Sequence, residues 1–220
     1  MRNASNLVRR ALAILLLTSM LTAAPGCGAV ATVAWLIHGP EKVPAKFSGL
    51  SGKRVAVVCL DGNSLGGPGG EADSIAKAVS VTLDYHVPDI QMVRYEEIAD
   101  WVDNHTGDLT DYRDVGRGVK ADMVLGIDLA SLSIHEGQTL LKGRARTGIK
   151  VFDMKKAGQV VYEVPVQEIA WPESGARHVT ENEANFRAIF IHMLSQKISQ
   201  DFYDYELIED FSKDAAHLAN

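Results

Sequence analysis

Apolar and polar positions along the chain follow patterns that predict an α/β domain. The segment KRVAVVCL, from Lys53 to Leu60, contains an unbroken apolar run, which is typical of a central strand covered on both faces. The spacing then changes, because Ile75, Val79 and Leu83 recur every four residues and predict an amphipathic helix over 71–86. Three shorter elements are expected next: a strand over 90–94 and helices over 95–104 and 109–120.

Three long segments further along the chain predict an antiparallel meander. They are ADMVLGIDLASLSI from Ala121, TLLKGRARTGIKVFDM from Thr139 and QVVYEVPVQEIAW from Gln159. Each alternates apolar and polar positions, as a strand with one buried face does. Short turns that contain glycine separate the segments, and consecutive strands joined in this way pair antiparallel.

A last amphipathic helix completes the predicted domain. Thr180 and Glu183 have the spacing of a capping box at its start. Helical spacing then continues through Phe186, Ile189, Phe190, Met193, Leu194, Ile198 and Phe202. The predicted order is β-α-β-α-α-β-β-β-α: an α/β (α+β) sandwich whose mixed sheet includes an antiparallel three-strand meander, with helices packed on it.

The N-terminus is predicted to be an export signal rather than part of the fold. MRNASNLVRR is basic and precedes the apolar run ALAILLLTSMLTAA, which ends in small residues. The next residues, APGC, resemble the lipobox at which bacterial prolipoproteins are cleaved and acylated, and this resemblance implies that Cys27 is lipidated. The predicted organisation is a signal peptide at 1–26, a lipid-anchored tether at 27–52, a single α/β domain at 53–205 and an acidic tail at 206–220.

A single membrane-spanning helix is the alternative anchor. Apolar character continues past Cys27 to Ile37, and about 20 apolar residues suffice to cross a bilayer, although Pro25 and Gly26 interrupt the run. Both anchors leave the basic N-terminus inside and export the rest of the chain. Gly28 stands where some bacteria place the aspartate that retains lipoproteins in the inner membrane. The resemblance to prolipoproteins, with glycine at this position, therefore implies the outer membrane rather than the inner membrane.

Composition fits an exported globular domain. Hydrophobic residues make up 46% of the chain, which is enough for one core. The formal net charge of −6 becomes more negative once the arginine-bearing leader is removed, which argues against general nucleic-acid binding. Cys27 and Cys59 are the two cysteines, so acylation of Cys27 leaves no intramolecular disulfide. Cys59 lies in an apolar strand and is expected to be a small buried residue.

Several of these segments together resemble a family of uncharacterised bacterial envelope lipoproteins. They are the lipobox-like APGC, the strand KRVAVVCL, the segment ADMVLGIDLASLSI and the hairpin LLKGRARTGIKVFDMKKAGQVVYE. The soluble part is similar to the N-terminal domain of TolB and to the CsgG and LpoB domains, over roughly residues 27–203. The resemblance implies an α/β architecture, an envelope location and work as a protein partner, but it implies no reaction.

No catalytic, cofactor or metal site is expected from the motifs. Gly67-x-Gly69-x-x-Ala72 formally matches a dinucleotide fingerprint, but Gly67 lies well past the strand end and Glu71 is acidic. None of the seven histidines is paired at metal-binding spacing, and no serine lies in a nucleophile elbow. The chain is therefore expected not to be an enzyme.

One basic pattern is a candidate binding site. Lys142, Arg144, Arg146 and Lys150 fall on alternate positions of one predicted strand and project from the same face. They are interpreted either as a stripe that docks an acidic partner or an anionic envelope polymer, or as cross-strand partners of acidic residues in the meander. The candidate partners for such pairing are Asp128, Glu163 and Glu168.

These observations predict a membrane-anchored, exported module for protein interaction or assembly in the bacterial cell envelope. Its expected partners are the membrane, reached through the lipid on Cys27, and an envelope protein. The alternative is a lipoprotein that binds a small ligand or substrate for an envelope transporter.

Overall fold

The computed structural model describes residues 42–62, 64–65, 70–105, 111–173, 175–178 and 182–206. The strands in these residues are β1 (Lys42–Val43), β2 (Arg54–Asp61), β3 (Ser64–Leu65), β4 (Gln91–Met92), β5 (Met123–Glu136), β6 (Leu140–Asp153), β7 (Gln159–Trp171), β8 (Arg177–His178) and β9 (Tyr205–Glu206). The α-helices are α1 (Glu71–His86), α2 (Tyr95–Asp103), α3 (Tyr112–Gly118) and α4 (Glu183–Ser199), with 3-10 turns at Met154–Lys156 and Gln200–Phe202. Described residues from Val43 to Tyr205 belong to one compact unit, and Lys42 and Glu206 belong to another.

The main sheet has the strand order β3-β2-β5-β6-β7. Strands β2 and β5 run parallel, with Val55 opposite Met123 and Asp61 opposite Leu129. Strand β6 pairs antiparallel with β5 on one side and with β7 on the other. Strand β4 pairs in parallel with the start of β2, and β8 pairs antiparallel with the start of β6. The predicted mixed sheet with a three-strand antiparallel meander is confirmed.

Helices α1 and α4 cover one side of the sheet, which we call the inner face. The stripe predicted from the spacing in α1 is fully buried here, since Ile75, Val79 and Leu83 are each 0% exposed. They pack with inward residues of β2 and β5 and with the aromatic side chains Phe186 and Phe190 of α4. Burying such side chains contributes about 1.5 to 3 kcal/mol each, and more of the described buried residues belong to this cluster than to the one on the opposite side, so the inner face holds most of the core.

Helices α2 and α3 cover part of the opposite side, the outer face. Ile98 of α2 and Val115 of α3 pack on alternate residues of β2, Ala56 and Val58. Since Val55 and Val57 of the same strand belong to the inner core, β2 is buried on both faces, as its unbroken apolar run predicts.

The sheet divides into two halves that differ in cover. Strand β2 has 8 residues and β5 has 14, and pairing between them stops at Leu129. We call β2 and the parts of the meander beside it the covered half. Beyond it lies the projecting half, which comprises residues 130–136, 140–146 and 168–171 and extends roughly 20 Å further. The strand residues in the cluster under α2 and α3 all belong to the covered half.

Strand β7 forms an edge of the described sheet and contains Pro165. Proline lacks an N–H for the ladder and is confined in sheets to edges and bulges. Pro165 lies both on an edge strand and at a bulge. Gln167 is opposite Thr147 and Val164 is opposite Ile149, so β7 has one more residue than β6 between these pairs. The strand therefore carries a feature that disfavours edge-to-edge pairing.

The start of the domain differs from the sequence-based expectation. Residues 45–52 fall in the predicted tether, yet Leu50 is 0% exposed and Phe47 stacks on Tyr162 with ring centroids 5.3 Å apart. The Phe47 N–H also donates to the Asp201 carbonyl at 2.9 Å. These residues pack against the turn that follows α4, so the chain enters the fold at the covered half.

Helix α4 begins later than the predicted capping box. Its N-cap is Asn182, whose side chain accepts hydrogen bonds from the N–H groups of Ala184 and Asn185. Asparagine caps a helix as effectively as threonine does, so composition alone did not locate the cap. Thr180 lies outside the described residues, as do the predicted signal peptide, Cys27 and most of the acidic tail. No helix in the described ranges has the length and apolar character needed to cross a bilayer.

Candidate functional site

The four basic residues of the predicted stripe lie along the outer face of β6. Between them the strand places buried residues that face the inner core, among them Ala145 and Ile149. Lys142, Arg144 and Arg146 belong to the projecting half, and Lys150 belongs to the covered half. A basic row therefore runs from one half of the sheet into the other.

Two of the four basic residues form ion pairs across the strands. Arg144 lies between two carboxylates, with its Nη2 2.5 Å from Glu136 Oε1 and its Nη1 3.8 Å from Glu168 Oε1. Lys150 Nζ lies 3.3 Å from Asp128 Oδ2. Pairing with Asp128 and Glu168 is what the cross-strand interpretation of the stripe expects. The Arg144 and Lys150 side chains are therefore both basic surface and cross-strand ties.

The other two basic residues, Lys142 and Arg146, form no ion pair with a described residue. Within the described ranges no carboxylate lies within ion-pair distance of Lys142 or Arg146, and Arg146 is exposed. The register sets Glu168 opposite Arg146, but the Glu168 carboxylate contacts Arg144 instead. Exposed ion pairs contribute about 0 to 1 kcal/mol, so Arg144 itself can exchange partners at little cost. The projecting half thus presents cationic groups to an incoming carboxylate.

A polar cavity of about 510 Å³ opens on the outer face of the covered half. Asp111, Tyr112 and Arg113 approach it from the first turn of α3, and Asp128 and Lys150 line it from the sheet. It lies at the end of β2, beside the middle of β5. Clefts outside the carboxyl ends of parallel strands are where open α/β sheets usually bind ligands.

Asp128 is the centre of the hydrogen bonds in this cavity. The Tyr112 hydroxyl donates to Asp128 Oδ1 at 2.6 Å, and Lys150 Nζ donates to Asp128 Oδ2 at 3.3 Å. Tyr112 is 6% exposed, and its burial together with the hydrogen bond to Asp128 raises the pKa of its phenol well above the ordinary value. The phenol therefore stays neutral at physiological pH and keeps donating to the carboxylate.

Glycine at position 126 allows this arrangement. A Cβ at Gly126 would lie 2.9 Å from atoms of the Tyr112 ring, so the ring packs directly on the backbone of β5. Asp111 is the N-cap of α3 and accepts from the Arg113 N–H at 2.9 Å. Arg113 Nε donates to the Gly158 carbonyl at 2.9 Å, which ties α3 to the turn before β7.

Sequence reasoning did not find this cavity. Tyr112 and Arg113 lie in a helix whose polar composition carries no clear stripe, and they meet Asp128 only through the tertiary fold. The sequence feature that could have indicated a site is Asp128, a carboxylate that follows a run of buried residues within β5.

A second, smaller cavity of about 70 Å³ lies between α1, α2 and β2. Lys77 Nζ lies 3.0 Å from Asp73 Oδ2 and 3.8 Å from the centroid of the Tyr95 ring. A hydrogen bond to Asp73, aided by burial, raises the pKa of Tyr95 to about 12. Cys59 also borders this cavity, is 3% exposed, and has a thiol pKa raised by burial. The prediction that Cys59 is a small buried residue is confirmed.

Other predicted features lie beyond what the structure describes. Cys27, Gly67 and Gly69 are outside the described residues. Among the residues that are described, no group of three or more histidine, cysteine, aspartate or glutamate side chains is placed to hold a metal ion.

No protein-family model matches the chain, and no curated protein matches it. Solved structures with a similar backbone include the PelC dodecamer from Paraburkholderia phytofirmans, at 14% identity and a TM-score of 0.44, covering 74% of this chain and 97% of that chain. Lipoprotein GNA1162 from Neisseria meningitidis is 10% identical, with a TM-score of 0.42 and coverage of 66% and 97%. The LpoB C-terminal domain from Salmonella enterica is 12% identical, with a TM-score of 0.38 and coverage of 56% and 84%. At these values the function has to be argued from the residues of this chain.

Proposed function

We propose that this chain is an exported, membrane-anchored interaction module of the bacterial cell envelope. The carrying observation is the outer face of the projecting half, which has no described helix over it and bears Lys142, Arg144 and Arg146. In the covered half the same face is packed under α2 and α3. A face that is built as a regular sheet but left without a helix is available to a partner.

The chemistry of this face selects the class of partner. Its two acidic residues, Glu136 and Glu168, both contact Arg144, which leaves the charges of Lys142 and Arg146 uncompensated by described residues. A protein surface that presents carboxylates would pair with these two side chains. Electrostatic matching of this kind speeds association and sets orientation more than it adds affinity.

The anchor is proposed from the N-terminal sequence. The basic leader, the apolar run and the lipobox-like APGC support acylation of Cys27, and Gly28 supports delivery to the outer membrane. Labelling cells with radioactive palmitate tests this point. Wild-type protein is expected to take up label and a Cys27→Ser variant is not, and label on that variant would overturn the proposed anchor.

In-cell crosslinking tests the docking surface. A photoreactive residue replaces Arg146 in the full, anchored chain, and the matched control carries it at Val81, which is 71% exposed on α1. We expect a protein adduct of defined mass from position 146 and none from position 81. Equal adducts from both positions, or none from either, would reject this face as the docking surface.

Charge reversal supplies a second test. Arg146→Glu is compared with Arg94→Glu, because both arginines are exposed and neither has an ion pair among the described residues. Arg146→Glu is expected to abolish capture of the crosslinked partner while the chain stays folded, with only a small fall in melting temperature because the new carboxylate lies opposite Glu168, whereas Arg94→Glu retains capture. We propose that the chain acts by binding alone and catalyses no reaction.

A second candidate function is the binding of a small ligand for an envelope transporter. The specific observation that favours it is the polar cavity around Asp128, whose volume lies in the range of about 300 to 1,000 Å³ usual for small-molecule sites.

A further inference from the structure

We propose that the cavity around Asp128 binds a neutral, polyhydroxylated ligand of the saccharide class. The inference develops the second candidate function and rests on it, and it does not depend on the docking surface of the projecting half. Its basis is the balance of charge and of hydrogen-bonding groups around the cavity.

The charged groups of the cavity cancel in pairs. Lys150 Nζ lies 3.3 Å from Asp128 Oδ2, and Arg113 Nη1 lies 3.4 Å from Asp111 Oδ2. A phosphate or another anion would meet as many carboxylates as cations. A zwitterion would have to compete with both existing pairs for its partners. A neutral ligand leaves both pairs in place.

The remaining hydrogen-bonding capacity is mixed. The ammonium of Lys150 and the guanidinium of Arg113 keep N–H donors beyond those used within the protein, and the carboxylates of Asp111 and Asp128 keep acceptor lone pairs. One cavity therefore presents both donors and acceptors. A hydroxyl group both donates and accepts, so neighbouring hydroxyls of a sugar ring match such a lining.

Apolar side chains form the rest of the lining. Leu60, Phe152 and Val160 border the cavity from three different strands. Arg113 lies over the Phe152 ring, with its guanidinium carbon 5.3 Å from the ring centroid. Leu60 and Phe152 are only 5% and 4% exposed, so half-buried Val160 is the apolar side chain of the three that lies open to the C–H face of a sugar ring.

Asp128 is held ready for such a ligand. The Tyr112 hydroxyl donates to one carboxylate oxygen at 2.6 Å, and the Tyr112 ring is fixed against Gly126. The Asp128 carboxylate is therefore already oriented before the ligand binds, which lowers the entropic cost of binding.

Ligand-observed saturation-transfer NMR on the full chain tests the inference. The chain is placed in phospholipid nanodiscs, because detergents with sugar headgroups would compete for the cavity. The probes are glucose, N-acetylglucosamine, cellobiose and chitobiose, and the comparison probes are methyl phosphate, whose methyl protons can report saturation, and glutamate. We expect at least one sugar to receive saturation and neither comparison probe to do so.

Variants locate the binding. Asp128→Asn keeps the size of the side chain but removes the charge, and Lys150→Gln removes a donor from the same wall; each is expected to weaken the binding sugar about tenfold or more. Arg146→Gln, on the same strand but outside the cavity, is the control and is expected to bind as the wild type does. Thermal melts confirm that each variant is folded.

Three results would overturn the inference: no sugar binds the wild-type chain, the sugar binds Asp128→Asn and Lys150→Gln as well as wild type, or methyl phosphate or glutamate binds in its place. None of these results bears on partner capture, which depends on Arg146. Conversely, loss of capture in Arg146→Glu with sugar binding intact would separate the two surfaces.

Discussion

The two halves of the sheet differ in how many of their faces are packed under helices, and this decides which strand surface a partner can reach. In the covered half, β2 is buried between α1 on the inner face and α2 and α3 on the outer face. In the projecting half, α4 covers the inner face, with Phe190 packed on the position of Gly143, while the outer face carries charged side chains. The same meander thus contributes to a two-sided core at one end and to a one-sided core at the other.

Stability and partner binding are therefore expected to depend on different positions of β6. Substitutions on the inner face should lower the free energy of unfolding in either half. Substitutions on the outer face should affect stability where α3 packs and affect binding where no described helix packs.

The largest effect is expected from Phe190→Ala. Phe190 is 0% exposed, and a Cβ at Gly143 would come within 2.3 Å of its ring, so truncation leaves a cavity under the projecting half. Such truncations cost about 3 to 5 kcal/mol. Urea unfolding should show one transition at a lower midpoint, because α4 packs on both halves.

Val81→Ala, on the exposed side of α1, is the control and should change the free energy of unfolding by less than about 0.5 kcal/mol. Two separate transitions in Phe190→Ala would contradict this expectation and would show that the projecting half unfolds on its own.

A smaller loss is expected from Tyr112→Phe in the covered half. The substitution removes the 2.6 Å hydrogen bond to Asp128 and keeps the ring that packs on Gly126. A hydrogen bond to a charged group contributes about 1.5 to 3 kcal/mol, and the lower figure fits here because Asp128 still contacts Lys150. Urea unfolding measures the loss, and an unchanged midpoint would show that the bond adds no stability.

Alkaline pH is expected to lower the stability of the covered half, through two of its tyrosines. Burial and hydrogen bonds to Asp128 and Asp201 raise the pKa of Tyr112 and Tyr162, both in the covered half. A raised folded-state pKa means that the neutral phenol is favoured in the fold. Its contribution is therefore complete below the ordinary tyrosine pKa of about 10 and is lost as the pH rises above it.

Melting temperatures measured from neutral to alkaline pH check this expectation. Wild type should lose stability above about pH 10, and Tyr112→Phe should lose less over the same interval because one of the tyrosines with a raised pKa is absent. An identical decline in both proteins would remove Tyr112 as a cause.

Most of the fold and the basic stripe were predictable from local patterns, and the cavity around Asp128 was not. The helix over 71–86 and the strand over 159–171 have the bounds that spacing predicts, because each buries a face with a clear period. Helix α3 is shorter than predicted, and Phe47 and Leu50 were placed in the tether, since a segment rich in proline, glycine and serine has no period that reveals packing.

The cavity and the uncovered face depend on tertiary relations. Tyr112 reaches Asp128 from another element, and no local pattern links them. The projecting half follows from the unequal lengths of β2 and β5 together with their register, and only the lengths are visible in the sequence. The stripe was found as a pattern, but which of its members form ion pairs depends on side chains of neighbouring strands.

The smallest expected effect concerns two arginines of the projecting half. Arg144→Gln removes pairs with Glu136 and Glu168 and should cost about 0.2 to 1 kcal/mol, since both partners are largely solvent-exposed. Arg146→Gln removes no ion pair to a described residue and should stay within about 0.5 kcal/mol of wild type. Urea unfolding at low and high salt measures both, and the Arg144 difference should shrink at high salt because screening weakens exposed pairs. If Arg146→Gln proved the more destabilising of the two, Arg146 would have a structural role, and the outer face of the projecting half would no longer be a free surface for a partner.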